Sequence, residues 1–224
     1  MSKKQNMPFE CSKCGTKNTA ETWTHVTVDE DPELRDAVLN GTLFSHKCEG
    51  CGEVAGLIYP CLYHDHARGF MIYLIPDAEK AETFTALPLP PEVLSSELDM
   101  SGYKLRVAES VSALVEKIHL LEAGLDDRAA EVCKLLALGK LQERRSDYLP
   151  AATHFERRED KDVCSFISAS AETAQVYLPS GLDEDILKTI NERDNGTPRF
   201  ELVNLIWAKA FVNIVRSQNQ PPQG

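Results

Sequence analysis

Hydrophobic and polar positions change their period along the chain, and each change marks an element. Thr22 to Val28 (Thr-Trp-Thr-His-Val-Thr-Val) is rich in β-branched and aromatic residues and reads as a strand. A helix is predicted next. Asp31 suits the N-cap, Pro32 the first helical position and Glu33 the positive helix end; Leu34, Ala37 and Val38 recur at helical spacing, and Gly41 stops the run. Leu43 to Lys47 reads as a short strand, and Val54 to Tyr63 and Phe70 to Ile75 as two longer ones joined by the polar turn His64 to Gly69. Pro60 removes a ladder donor, so its strand lies at an edge or carries a bulge.

Residues 86 to 101 hold three prolines and little periodicity, which predicts a linker with a boundary near 90 to 100. Tyr103, Leu105 and Val107 alternate as a strand. Val111, Leu114, Val115, Ile118 and Leu121 then share a helical face behind a Ser110 cap, with Gly124 as the stop. A second helix from about Asp126 to Leu138, closed by Gly139, completes an α-hairpin. Val163 to Ser168 and Gln175 to Leu178 read as a strand pair, Pro179 to Asp183 leads into a helix through Arg193, and a last helix starts near Pro198. The last helix carries Leu202, Ile206, Trp207, Ala210, Phe211 and Ile214 on a face broad enough for core or for a partner. The expected fold class is α+β: an N-terminal four-cysteine ribbon with a β-hairpin, then an α-hairpin and a C-terminal α+β segment. The expected domains are 1–98 and 99–217, with 218–224 as a disordered tail.

Composition narrows the class. At 224 residues, 42% hydrophobic and 26% charged, the chain can bury a core and is neither collagen-like nor wholly disordered. The net charge of −11 opposes phosphate backbones, and residues 1–100 carry 8 basic against 16 acidic side chains, so nucleic-acid binding is disfavoured. Met1 to Phe9 lacks a signal-peptide core, and no apolar run reaches the length of a membrane span. Seven cysteines, an odd number containing two C-x-x-C pairs, suggest metal ligands in a reducing, cytoplasmic setting rather than a disulfide framework.

The chemistry concentrates in Cys11, Cys14, Cys48 and Cys51: C-x2-C, 33 residues, C-x2-C, each pair followed by glycine (Gly15, Gly52). A two-residue gap lets a tight turn aim two sulfurs at one ion, and the glycines permit backbone amides to face the thiolates. Soft thiolates select zinc or an iron centre, and four of them fill the tetrahedral shell of Zn2+, which makes the site structural. Structural zinc contributes an apparent ~10–16 kcal/mol in small peptides, so the ribbon is expected to need its metal. Cys61, Cys133 and Cys164 sit in apolar patterns and read as core. The turn His64-Asp65-His66 has the residue types to bind a metal or move a proton, although polar residues are ordinary in a turn. His25 and His46 are candidates to lie beside the zinc. No hydrolase, P-loop, dinucleotide or zincin motif is present, so no catalytic residue is assigned.

Phe9 to Gly15, Asp31-Pro32-Glu33-Leu34 to Gly41-Thr42-Leu43-Phe44, Cys48 to Gly52, Leu62-Tyr63-His64-Asp65 to Met71-Ile72-Tyr73-Leu74, Val115 to Ile118 and Gly124 to Arg128 together resemble the CpXC family of bacterial and archaeal proteins. The resemblance spans roughly residues 9 to 138 and implies a zinc-ribbon-like domain. The family is named for two C-P-x-C knuckles; here Ser12 and Glu49 stand in place of the prolines. The functional expectation is a non-enzymatic zinc protein with a protein-interaction or dimerisation surface. The alternatives are an enzyme or zinc-linked redox sensor using the cysteines or the His64, Asp65 and His66 turn, and a nucleic-acid-binding ribbon.

Overall fold

The computed structural model describes residues 1–76, 100–158, 161–194 and 199–218. Most of the anticipated 86–101 linker and all but the first residue of the 218–224 tail lie outside the described residues. The chain forms two compact units, Met1–Glu122 with Pro198–Leu202, and Ala123–Thr197 with Val203–Gly224.

The first unit runs β1 (Lys3–Glu10), β2 (Lys17–Thr27), α1 (Pro32–Leu39), a 3-10 turn (Thr42–Phe44), β3 (Ser45–Lys47), β4 (Val54–Gly56), β5 (Cys61–Asp65), β6 (Phe70–Leu74), β7 (Lys104–Ala108) and α2 (Val111–Glu122). Strands order as β1-β2-β5-β6-β7, and β11 (Glu201–Leu202) adds at the far edge. β1 and β2 form an antiparallel hairpin, β2 runs parallel to β5, β5 and β6 form a second hairpin, and β7 lies parallel to both β6 and β11. Among the described residues, β3 and β4 pair only with each other.

β5 and β6 are buried on both faces, and their alternation assigns the faces. Cys61, Tyr63, Phe70, Ile72 and Leu74 pack with Leu34 and Val38 of α1 and with Leu114, Ile118 and Leu121 of α2. Leu62 and Met71 pack with Leu105, Val107 and Phe200 in a second cluster. Ser110 caps α2 through a 3.1 Å bond from the Ala113 amide, as its position suggested. Arg35 of α1 grips Glu122 of α2 with two 2.6 Å bonds.

Several expectations change at this level. Val54 to Tyr63 is not one strand: β4 belongs to the small hairpin and β5 to the large sheet, with Leu57 to Pro60 as the joint. His64 and Asp65 end β5 rather than opening a turn. β1, polar and mostly exposed, escaped the periodicity reading and exists by pairing with β2. β7 and α2, counted with the C-terminal segment in the sequence reading, belong to the first unit because β7 joins its sheet and α2 packs on β6 and β7.

In the second unit, α3 (Asp127–Arg144), β8 (Pro150–Arg158), β9 (Lys161–Ser168), β10 (Thr173–Leu178), α4 (Leu182–Asn191) and α5 (Leu205–Gln218) follow one another. The strands form an antiparallel sheet, β10-β9-β8, against which α3 packs, and α3 also contacts α4 and α5. Asp126 caps α3. Gly139 does not end this helix, which continues to Arg144. The last helix begins at Leu205, not Pro198, where Asn204 Oδ1 accepts from the amides of Ile206 and Trp207 at 3.0 and 3.1 Å. Cys61, Cys133 and Cys164 are buried, and burial pushes the Cys61 and Cys133 thiols up to about 12. Among the described residues, no helix is long and apolar enough to cross a membrane.

Candidate metal centre

Each cysteine pair occupies the tip of a hairpin. Cys11 and Cys14 lie in the β1–β2 connection, and Cys48 and Cys51 in the β3–β4 connection. The two tips repeat one geometry. The Gly15 amide donates to Cys11 O at 2.8 Å and the Gly52 amide to Cys48 O at 2.9 Å; the Cys11 amide donates to Thr16 O and the Cys48 amide to Glu53 O. Gly15 and Gly52 hold φ of +71° and +73°, a region that side chains disfavour, which explains the glycine after each pair.

The tips face each other. Cys11 Sγ is 3.7 Å from Cys51 Sγ, Cys14 Sγ is 3.7 Å from Cys48 Sγ, and all four sulfurs lie within 4.8 Å of one another. A tetrahedron with metal–sulfur bonds of about 2.3 Å has edges of about 3.8 Å. The four sulfurs therefore fit around a single ion, and the arrangement is compatible with a metal site. Cys11 and Cys48 are buried, whereas Cys14 and Cys51 face outward.

Electrostatics at the tips favour a cation. Cys48 is held down to about 6, chiefly by the Cys51 amide and, against its burial, also by the Gly50 amide and the Asn18 side chain. The Thr16 hydroxyl and then its amide lower Cys14. Cys51 moves the other way, to about 12: the Glu53 amide favours its thiolate, but the neighbouring sulfurs, Cys14 foremost, together with burial outweigh it. The backbone is arranged for thiolates, yet four of them repel one another until a positive charge sits among them. The amides that face the sulfurs are those of Thr16, Gly50, Cys51 and Glu53, while the Gly15 and Gly52 amides close the turns.

Asn18 joins the tips, a role that spacing alone did not reveal. Buried on β2, its Nδ2 donates to Thr16 O at 2.8 Å and lies 3.5 Å from Cys48 Sγ, while its Oδ1 accepts from the Glu49 amide at 2.9 Å. A proline at 49 has no amide to give. The departure from the C-P-x-C pattern at Glu49 is thus matched by a hydrogen bond that only a non-proline residue can make. Gly50 has a steric reason as well: a Cβ there would stand 2.4 Å from Thr16 Oγ1. Lys13 and Glu53 bridge the outside of the tips at 2.6 Å.

Of the two histidines expected beside the ion, His46 lies on the strand that leads into Cys48, whereas His25 is placed elsewhere. His46, on β3, keeps its Nε2 buried without a hydrogen-bond partner among the described residues, with the rings of Phe9 and Tyr59 as neighbours. His25 lies away from the cysteines and stacks on His64 with ring centroids 6.1 Å apart. Asp65 is withdrawn from its two flanking histidines; it is buried and bound by Arg68 through the side chain at 2.7 Å and the amide at 2.9 Å.

Fold and site together define a protein with a four-thiol ribbon built on two hairpins. Residues 9–134, more than half of the chain, match the CpXC protein family, and the chain belongs to that family. No curated protein and no solved structure matches it.

Proposed function

We propose that the chain is a zinc protein in which Cys11, Cys14, Cys48 and Cys51 hold one Zn2+ as a structural, non-catalytic ion, and that it works through a protein-binding surface in a reducing, cytoplasmic setting. The observation that carries the metal reading is the pair of 3.7 Å sulfur–sulfur edges formed across two hairpin tips. Four thiolates fill the tetrahedral shell and leave no position for a reacting water. Metal analysis of the purified protein after dialysis is expected to find about one zinc per chain, and Cys48→Ser is expected to lose it. Absence of zinc from the native protein, with all seven thiols open to titration, contradicts the reading.

The surface reading rests on the second unit. Leu135, Leu138, Leu182, Ile206 and Val212 line a groove of about 1000 Å³ whose charged lining residues are Lys140, Lys209 and Arg216 against Glu143. In a chain of net charge −11 this local excess of cations suits a protein segment with apolar residues flanked by carboxylates. Ile206 and Ile214 are exposed on α5. An acidic amphipathic helical peptide is expected to bind, and Ile206→Asp with Lys209→Glu to abolish the binding. A dimer broken by the same changes would replace the acidic partner with a second copy of the chain.

A further inference from the structure

A second group of ligand-type atoms converges in the first unit, away from the cysteines. The parallel register of β6 with β7 sets Lys104 beside Phe70, and the Lys104 amide donates to Gly69 O at 3.0 Å. Tyr103 is thereby laid against the β5–β6 turn, its ring 3.9 Å from where a Cβ on Gly69 would be. The phenol oxygen meets two imidazoles there: it is 2.6 Å from His66 Nδ1 and 3.4 Å from His64 Nε2. The backbone beneath His66 is clamped, since Asp29 Oδ2 accepts from the His66 amide at 2.7 Å and Asp29 Oδ1 from the Ala67 amide at 3.1 Å. His64 is buried, with the His25 ring stacked against it, while His66 is exposed.

We propose that His64 Nε2, His66 Nδ1 and the Tyr103 oxygen form a second, exchangeable site for a divalent transition-metal ion, open to solvent on the His66 side. Donor atoms ligating one ion through bonds of about 2.0–2.1 Å stand roughly 2.9–3.4 Å apart; the 3.4 Å pair already has that spacing, and the 2.6 Å pair, now a hydrogen bond, has to open by about 0.3 Å to admit the ion. The ion takes the place of the hydrogen atoms that now link the phenol to the imidazoles. Two imidazoles and a phenolate suit zinc, copper or nickel and are poor ligands for calcium or magnesium. Three protein ligands leave a coordination position for water, in contrast to the closed four-thiol centre.

Burial, then the nearby His66, depresses His64, so its imidazole is neutral and able to ligate. Burial and the carboxylates of Asp29 and Asp65 raise Tyr103, so the phenol keeps its proton until an ion displaces it. Binding therefore releases the phenol proton to solvent, shifts the ring proton of the imidazole that donates to the phenol onto its other nitrogen, and forms one metal–oxygen and two metal–nitrogen bonds; no electron is transferred.

The test is a zinc titration by calorimetry of the intact chain whose zinc content and free thiols have first been counted, repeated in buffers of different ionisation enthalpy. One further equivalent of zinc is expected to bind with release of about one proton. Tyr103→Phe is expected to abolish that proton release and weaken binding at least tenfold, and His66→Ala to weaken it similarly, both with unchanged circular dichroism. Uptake that both variants leave unaltered, or no uptake beyond the thiol site, overturns the proposal. Thiol counting reads the cysteine centre separately, so failure of either site does not pass for failure of the other.

Discussion

The cysteine spacing carries its own meaning because a knuckle is local: two sulfurs, a two-residue gap and a glycine are all set within five residues. Asn18 was not legible in that way. Its importance comes from a tertiary approach between hairpin tips 31 residues apart along the chain, from Asn18 to Glu49. Asn18→Ala removes three contacts of a buried amide, and the expected result is a loss of about 1–3 kcal/mol in stability with zinc affinity lowered 10–100-fold, read by competition with a chelator. Gly50→Ala is expected to weaken zinc retention in the same assay, because its new methyl must displace Thr16, whose hydroxyl lies 3.2 Å from Cys14 Sγ. Tyr103 was equally hidden: in the sequence it is one member of an alternating strand, and only the parallel pairing of β6 with β7 brings it to the histidines.

At the scale of elements, legibility follows burial. α1, α2 and β7 were readable because each turns apolar residues toward a core at a regular period, and β6 because Phe70 to Leu74 is an unbroken apolar run buried on both faces. β1 and β8 were not, since β1 buries no side chain fully and β8 only Phe155, so their strand character comes from backbone pairing rather than side-chain pattern. Gly139 misled for a different reason. A glycine often follows a helix, but here the helix continues through it, and a Cβ at 139 would meet nothing within 4 Å among the described residues. Gly139→Ala is therefore expected to stabilise the second unit by about 0.5–1 kcal/mol, measured as a raised denaturant midpoint.

The α1–α2 clamp gives a prediction with a pH signature. The Arg35 guanidinium holds the Glu122 carboxyl below its ordinary value, and the pair is partly buried. A carboxyl lowered in the folded state contributes stability that is present above its unfolded value and is lost as the pH falls through the folded one. Arg35→Ala is expected to destabilise the first unit by about 1–3 kcal/mol at neutral pH. The gap between wild type and variant should narrow once the pH drops below about 4.5; a gap independent of pH would show that the charge on Glu122 does not carry the contact.

For the molecule as a whole, the two tryptophans report on different units: Trp23 lies in the first and Trp207 in the second. Two single-tryptophan variants, Trp23→Phe and Trp207→Phe, let each unit be followed by fluorescence during unfolding. A strong zinc chelator is expected to lower the midpoint reported by Trp23 sharply and that reported by Trp207 little, because all four clustered cysteines lie at hairpin tips of the first unit. The division into an α+β fold with a cysteine ribbon was readable from the pattern of elements. The return of Glu201–Leu202 to the first sheet was not, since a two-residue strand has no period.

The central claim is that sulfur from both hairpin tips closes around one ion. X-ray absorption at the zinc edge of the purified, dialysed protein tests it most directly. Four sulfur neighbours at about 2.3 Å are predicted; a shell containing nitrogen or oxygen, or no zinc signal at all, would contradict it.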